Sequence, residues 1–356
     1  MKKKLQRLLA FCVAFALCAG LVSCGGQSAP PAMSMQDGGT VTVNFMYLLT
    51  AIQKAMYASV AEANDGNWDT IVNAEKGTTL ADLLSDVTLR AAKSSLICEY
   101  LHDKVYGLKL TDEQEKSIDD QMASLASKAG SKQALEEQLS TYSADSKTMR
   151  RYLELTVKQT NLYNCFYGNN GIFAISENAV KDYFKSNYHI VTHIYFDLST
   201  KLKEDGTSVS LTDEEVAAKR AIAEEVYNRI LAGEDFYTLK AEYSEDAYES
   251  EYYPNGFFVT GDTTFPTEFT AAAMEMEVGE YRLTESGGSS KGIHILYKLP
   301  MDETLYNTNS SVYTSIQSQL ISADFDIRLG EYLDKVQVNE EEMAKVDIRI
   351  VPEYAY

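Results

Sequence analysis

Two short runs about a hundred residues apart constrain this chain most: Val191-Thr192-His193-Ile194-Tyr195-Phe196 and Gly292-Ile293-His294-Ile295-Leu296-Tyr297. Both are dense in β-branched and aromatic residues, so both read as strands, each with a histidine at its centre. The sequence between them has helical spacing. Thr212 and Glu215 form a capping box, Ala218, Ile222, Val226 and Ile230 recur every fourth residue, and Gly233 closes that helix. A second helix is expected from Asp235 to Ser244. A third runs from Thr267 to Met276, with Phe269, Ala272 and Ala273 on one side. Strands separated by such helices imply an α+β layer, an antiparallel sheet with helices packed on it.

The flanks read differently. From about Val41 to Gly168 the pattern is mostly helical: Thr79 with Asp82 opens the stripe Leu80, Leu84, Val87, Ala91, Cys98, Leu101, Val105, and Gly107 ends it. Thr111 with Gln114 starts a further helix, and Ser143 to Tyr163 suggests another. Ile175-Ser176-Glu177-Asn178 opens a short helix that leads to the first histidine strand. A last amphipathic helix, about Ser310 to Val336, carries Val312, Ile316, Leu320, Ala323 and Ile327 on one face. One such helix cannot bury its stripe alone. Its nearest partner is the N-terminal helical module, which makes the central segment an insertion in one helical domain.

The first residues concern location. Lys2, Lys3, Lys4 and Arg7 precede an apolar run from Leu8 to Leu21, too short for a comfortable membrane span, so residues 1–23 read as a signal peptide. The run ends in Leu21-Val22-Ser23-Cys24, which looks like a bacterial lipobox with Cys24 as the lipidated residue. An ordinary secretory signal is the other reading. Two acyl chains anchor stably where one does not, so an extracytoplasmic, membrane-tethered protein is expected. Residues 24–40, rich in Gly, Ser, Ala and Pro, read as a flexible leash.

The chain's net charge of −20 becomes −24 once the four cations of residues 1–23 leave with no anion. Nucleic acid is a poor partner for such a surface. The acidity suits basic, unfolded polypeptides or simply keeps a secreted protein soluble. Of 5 cysteines, Cys98 and Cys165 alone lie beyond Cys24, too few for a disulfide scaffold, and whether they pair is open. His102 and His189 fall outside any motif and read as structural.

In their order, the two histidine strands, Tyr243-Ser244-Glu245-Asp246 and the Phe/Pro-rich segment ending at Phe269 resemble the parvulin type of peptidyl-prolyl isomerase. Gly107-Leu-Lys-Leu-Thr-Asp-Glu-Gln114 resembles a helix junction of the N-terminal chaperone modules of PrsA- and SurA-like foldases. The resemblance implies a parvulin-like α/β sandwich at residues 188–300, inserted in an all-α chaperone domain made of residues 41–187 and 301–356. It implies a lipid-anchored prolyl isomerase and foldase acting on X-Pro segments of unfolded or partly folded secreted polypeptides, with no cofactor or metal. By the family's motif order, His193, Asp246 and His294 are the catalytic set. Ser289 is the candidate site hydroxyl, unless that hydroxyl is absent. Phe265 and Phe269, with Asn255 and Phe258 from an altered Asn-Gly-Phe-Phe block, are the expected substrate-binding residues. The segment Asp197 to Ser210 lacks the clustered arginines of phosphate-selective parvulins.

The chain has no His-Glu-x-x-His, Gly-x-Ser-x-Gly, phosphate-cradling glycine loop or Cys-x-x-Cys, so metalloprotease, hydrolase, NTPase and thiol oxidoreductase readings lack support. The alternative from another class is a non-catalytic holdase whose parvulin-like domain only binds peptide. His193, Asp246 and His294 favour the enzyme, and Asn255 and the altered loops favour the holdase.

Overall fold

The computed structural model describes residues 30–63, 65–202, 206–253, 255–288, 291–301 and 310–355. Cys24, the signal segment and Ser289 lie outside the described residues. The chain divides into two compact units. One joins the described residues up to Ile175 with Gln319–Tyr356, and the other is Ser176–Ser318.

The first unit is built on helices α1 (Val43–Met56), α2 (Leu80–Tyr100), α3 (Asp112–Ala129), α4 (Lys132–Ser140) and α5 (Ser146–Tyr167). Thr79 and Thr111 each accept, through the side chain, from the third backbone N–H of their helix and donate their own backbone N–H to the side chain of Asp82 or Gln114, so both expected capping boxes are present. Helix α2 runs into a π-helical turn, Leu101–Val105, and Gly107, with φ of +61°, lets the chain leave it.

This unit is not all-helical. Strands β1 (Met33–Met35) and β2 (Thr40–Val41) pair antiparallel, and the C-terminal strand Val336–Val338 pairs with the other edge of β1. A two-stranded ribbon, β3 (Ile71–Asn73) with β4 (Thr78–Thr79), precedes α2. Strands of two or three residues carry too little alternation to register in a sequence pattern. The leash is corrected for the same reason: Ala32, Met33 and Met35 are buried in the main core of this unit, because β1 lies between two other strands.

The C-terminal helix is Ser310–Gly330, shorter than expected. Ile321, Phe325 and Leu329 join the same core, while Ile327 is 67% exposed. Ile316 is buried as expected, but at about 100° per residue Leu320, Ala323 and Ile327 lie on roughly the opposite side of the helix from Ile321, Phe325 and Leu329, so the C-terminal half buries a different face.

The second unit opens with helix α6 (Glu177–Asn187), capped by Ser176. Its sheet has the order β8-β5-β10-β9, antiparallel throughout, from β5 (His189–Asp197), β8 (Phe257–Val259), β9 (Tyr281–Ser286) and β10 (Gly292–Leu299). The two histidine runs are thus the two central strands. A small hairpin, β6 (Thr200–Leu202) with β7 (Ser208–Ser210), follows β5. Helices α7 (Asp213–Leu231), α8 (Phe236–Tyr243), α9 (Ala247–Tyr252) and α10 (Thr267–Glu275) complete the unit.

Strand alternation splits the sheet into two cores. Ile194, Phe196, Ile293 and Ile295 pack with Val216, Ala223, Val226 and Ile230 of α7 and with Phe236 and Leu239 of α8. Ile222, expected on that face of α7, is 42% exposed, because a strict every-fourth-residue stripe drifts about 40° per step around a helix of 3.6 residues per turn. On the opposite face Val191, Leu296, Phe257 and Val259 pack with Phe269, Ala272 and Ala273 of α10 and with Met276. Both histidines project from this second face.

Candidate active site

The register of β5 on β10 pairs His193 with Leu296 and Tyr195 with His294, so the histidines occupy the same face on neighbouring strands, one diagonal step apart. Their Nδ1 atoms are 3.1 Å apart, and both side chains are buried. His193 Nε2 lies 3.0 Å from Asp246 Oδ2, and His294 Nε2 lies 2.9 Å from Ser286 Oγ.

The Asp246 end sets the direction of the first hydrogen bond in this chain. The hydrogen bond from His193, together with the backbone N–H groups of Glu249 and Tyr248, holds the Asp246 carboxyl below its ordinary value against burial, so it is an ionised acceptor. His193 Nε2–H therefore donates to it. Burial, reinforced by the neighbouring His193, pushes His294 down to about 3, so its imidazole is neutral. With both imidazoles neutral, Ser286 O–H donates to His294 Nε2, His294 Nδ1–H donates to His193 Nδ1, and His193 Nε2–H donates to Asp246. In that arrangement neither imidazole has a lone pair left over. The set orients and polarises, and offers no nucleophile or general base.

Local folding fixes both ends of the chain. Asp246 is the N-cap of α9, where its Oδ1 accepts from Tyr248 N–H at 3.0 Å and Glu249 N–H at 3.1 Å. Its other oxygen is left to receive His193. Ser286 ends β9 opposite Gly292, and the two-residue alternation places it beside His294. Gly292 is required here, since a Cβ at this position would lie 2.3 Å from the Tyr195 ring. That ring stacks on His193 at 5.8 Å and meets His294 at 5.0 Å, roofing the pair.

Beyond position 191, the edge of β5 left open by the short strand β8 is covered by the segment that carries Asp246. Ser244 Oγ accepts from Tyr195 N–H, and Glu245 N–H donates to the Tyr195 carbonyl. Glu249, 1% exposed, accepts from Thr192 Oγ1 and Lys240 Nζ, each at 2.6 Å. Its carboxylate is 3.6 Å from His193 Nε2, an electrostatic neighbour beyond hydrogen-bond range. His193, Asp246 and Glu249 form a cluster whose potential metal-ligand atoms lie within 4.8 Å of one another. The Lys240 ammonium already meets the Glu249 carboxylate, and the remaining atoms are engaged with one another, so the set fits a divalent ion poorly.

Phenylalanines form the apolar side. Phe269, 1% exposed, stands edge-on to both imidazoles, at 5.7 Å from His193 and 5.1 Å from His294. Phe265 stacks on Phe269 at 5.0 Å, and Phe257 bridges Phe265 at 5.0 Å and His193 at 5.4 Å.

His193, Asp246, His294, Phe265 and Phe269 are therefore brought together. Phe258 and Asn255 are not. Phe258 pairs with Ile190 on the other face of the sheet and packs on Phe184 and Tyr188, so the ring at the site is that of Phe257. Asn255 is exposed in the turn before β8, where the next residue must be glycine: Gly256 has φ of +83°, and a Cβ there would meet the Val191 carbonyl at 2.7 Å. Among the described residues the hydroxyl beside His294 is that of Ser286, while Ser289, the sequence candidate, lies outside them. Counting by twos from His294 to Gly292, and across the hairpin to its partner, would have found Ser286.

Residues 193–299 match the family model "PPIC-type PPIASE domain", named Rotamase. The Foldase protein PrsA of Halalkalibacterium halodurans is 36% identical over 148 residues, 41% of this chain and 41% of that protein, so the match spans well under half of either. Among solved structures, PrsA from Bacillus subtilis aligns at 18% identity over 76% of this chain and 89% of that one, with a TM-score of 0.25. The peptidylprolyl isomerase PrsA from Bacillus cereus aligns at 21% identity over 78% and 96%, with a TM-score of 0.32.

Proposed function

We propose that the parvulin-type domain at residues 193–299 catalyses cis-trans isomerisation of X-Pro bonds in unfolded or partly folded secreted polypeptides, and that the whole chain acts as an extracytoplasmic foldase. The observation that carries this reading is the ordered chain Ser286–His294–His193–Asp246 lying against three phenylalanines. Rotation about an X-Pro bond passes through a twisted amide with a barrier of about 18–20 kcal/mol, and no bond is broken. Such a reaction needs a dry apolar seat for the pyrrolidine ring and fixed dipoles beside the turning carbonyl. Each tenfold of rate takes only about 1.4 kcal/mol of preferential binding to the twisted form. Phe265, Phe269 and Phe257 supply the seat. The proton chain, satisfied from end to end, supplies dipoles that need not reorganise as the amide turns.

The lipobox-like Leu21-Val22-Ser23-Cys24 supports tethering at Cys24 outside the cytoplasm. Cys24→Ser should then move the protein from the membrane fraction into solution, and retention in the membrane would sink the anchor. The catalytic reading is tested by adding the protein to a refolding client whose slow phase is limited by proline isomerisation. A concentration-dependent acceleration of that phase is expected. Suppressed aggregation with an unaltered slow phase would favour the holdase alternative.

A further inference from the structure

The phenylalanine seat does not end at Phe257. Tyr253 meets the Phe257 ring at 5.0 Å, and Tyr248 lies 5.7 Å from Tyr253 and 4.5 Å from Tyr252. These three rings are 40%, 58% and 57% exposed, a contiguous aromatic patch leading outward from the site rather than single surface residues. Residues 241–253 hold five carboxylates and no Lys or Arg. Three are engaged inside the domain: Glu245 with Lys219, Asp246 with His193, and Glu249 with Lys240. Glu242 and Glu251 are exposed and form no ion pair among the described residues. Glu251 lies on α9, the short helix that also carries Tyr248 and Tyr252.

Exposed aromatic faces beside an uncompensated carboxylate attract a Lys or Arg side chain, whose stem lies along the rings while its charge stays wet. An acidic client residue would meet only like charge. Two ring contacts of 5.0 and 5.7 Å separate Phe257 from Tyr248. Two to three residues of extended chain, at about 3.3–3.6 Å each, span that reach. We propose that Tyr248, Tyr252, Tyr253 and Glu251 form a subsite selecting client segments with a Lys or Arg two to three residues from the proline. This rests on the seat being an X-Pro site and names the substrate class it favours.

The test uses fluorescent X-Pro peptides with Lys, Gln or Glu placed in turn at the second and third residues on each side of the proline. Kd from anisotropy and isomerisation kcat/KM are both measured on the full mature chain. Affinity should fall in the order Lys, Gln, Glu at one of these positions, with about threefold to tenfold between the extremes, less at high salt. Tyr248→Ser with Tyr252→Ser should abolish the preference, and Glu251→Gln should reduce it. Equal Kd across the three residues, or a preference that survives the double tyrosine variant, overturns the subsite. Peptides that bind in the expected order yet are not isomerised would uphold the subsite and refute the catalytic reading.

Discussion

Asp246 uses one oxygen for the cap of α9 and the other for His193, and this division makes Asp246→Asn an informative change. An asparagine has one acceptor oxygen. If it keeps the cap, its amide NH₂ faces His193 Nε2, and the charged hydrogen bond gives way to a neutral one that forms only once the imidazole changes tautomer; if it turns, the cap is lost. A hydrogen bond to a charged group contributes about 1.5–3 kcal/mol net, and an N-cap about 1 kcal/mol. The Asp246 side chain is 21% exposed, which places the histidine contact at the lower end. Asp246→Asn should thus cost about 1.5 kcal/mol, and Asp246→Ala, which removes both contacts, about 2.5 kcal/mol. Asn matches Asp at an N-cap, so the asparagine should retain the cap and turn the chain around. His193 Nδ1–H would then donate to His294, and His294 Nε2–H to Ser286. Hydrogen exchange of the β5 and β10 amides measures the stability steps, and imidazole ¹⁵N shifts report the tautomers. Isomerase activity should fall about tenfold in both variants, since both remove the ionised acceptor that sets the direction of the chain. Equal stability of the two variants, or unchanged tautomers in Asp246→Asn, would refute the division of labour between the two oxygens.

Other consequences can be checked separately. His294 titrates at about 3 in the folded protein against about 6.5 unfolded, so the unfolded chain binds more protons between these values and stability falls as pH drops below 6.5. From pH 7 to pH 4 the loss is on the order of 3 kcal/mol, and it should be missing from His294→Asn when urea unfolding is followed by NMR resonances of β10. Phe257→Ala should weaken proline-peptide binding, whereas Phe258→Ala should destabilise the packing around Phe184 and leave peptide Kd unchanged; the reverse outcome would mean the strand parity is wrong. Met33→Asp buries a carboxylate in the helical unit and should cost about 3 kcal/mol or more, read by the fluorescence of Trp68, the chain's one tryptophan. A leash would show no change.

Much of this was legible because local chemistry and tertiary role coincide. The capping boxes at Thr79, Thr111 and Thr212 declare their helices, and histidines inside apolar runs declare the two central strands. What escaped the sequence depends on partners. The Phe257-Phe258 doublet is ambiguous until pairing with Val191 and Ile190 fixes which ring faces the histidines. Ser286 becomes a site residue only through the hairpin register opposite Gly292. Glu249 lies just past the Asp246 motif and is drawn in by Thr192 and Lys240. Residues 32–35 are too few to announce a buried strand, which exists because β2 and the C-terminal strand flank it.

The most direct measurement is the cis-trans exchange rate of an X-Pro peptide, followed by NMR exchange spectroscopy with a trace of the protein. Exchange should rise in proportion to protein concentration, with Asp246→Asn about tenfold slower and Phe257→Ala impaired chiefly in KM. An exchange rate equal to that of the free peptide, at protein concentrations where the peptide is demonstrably bound, would contradict an isomerase at residues 193–299.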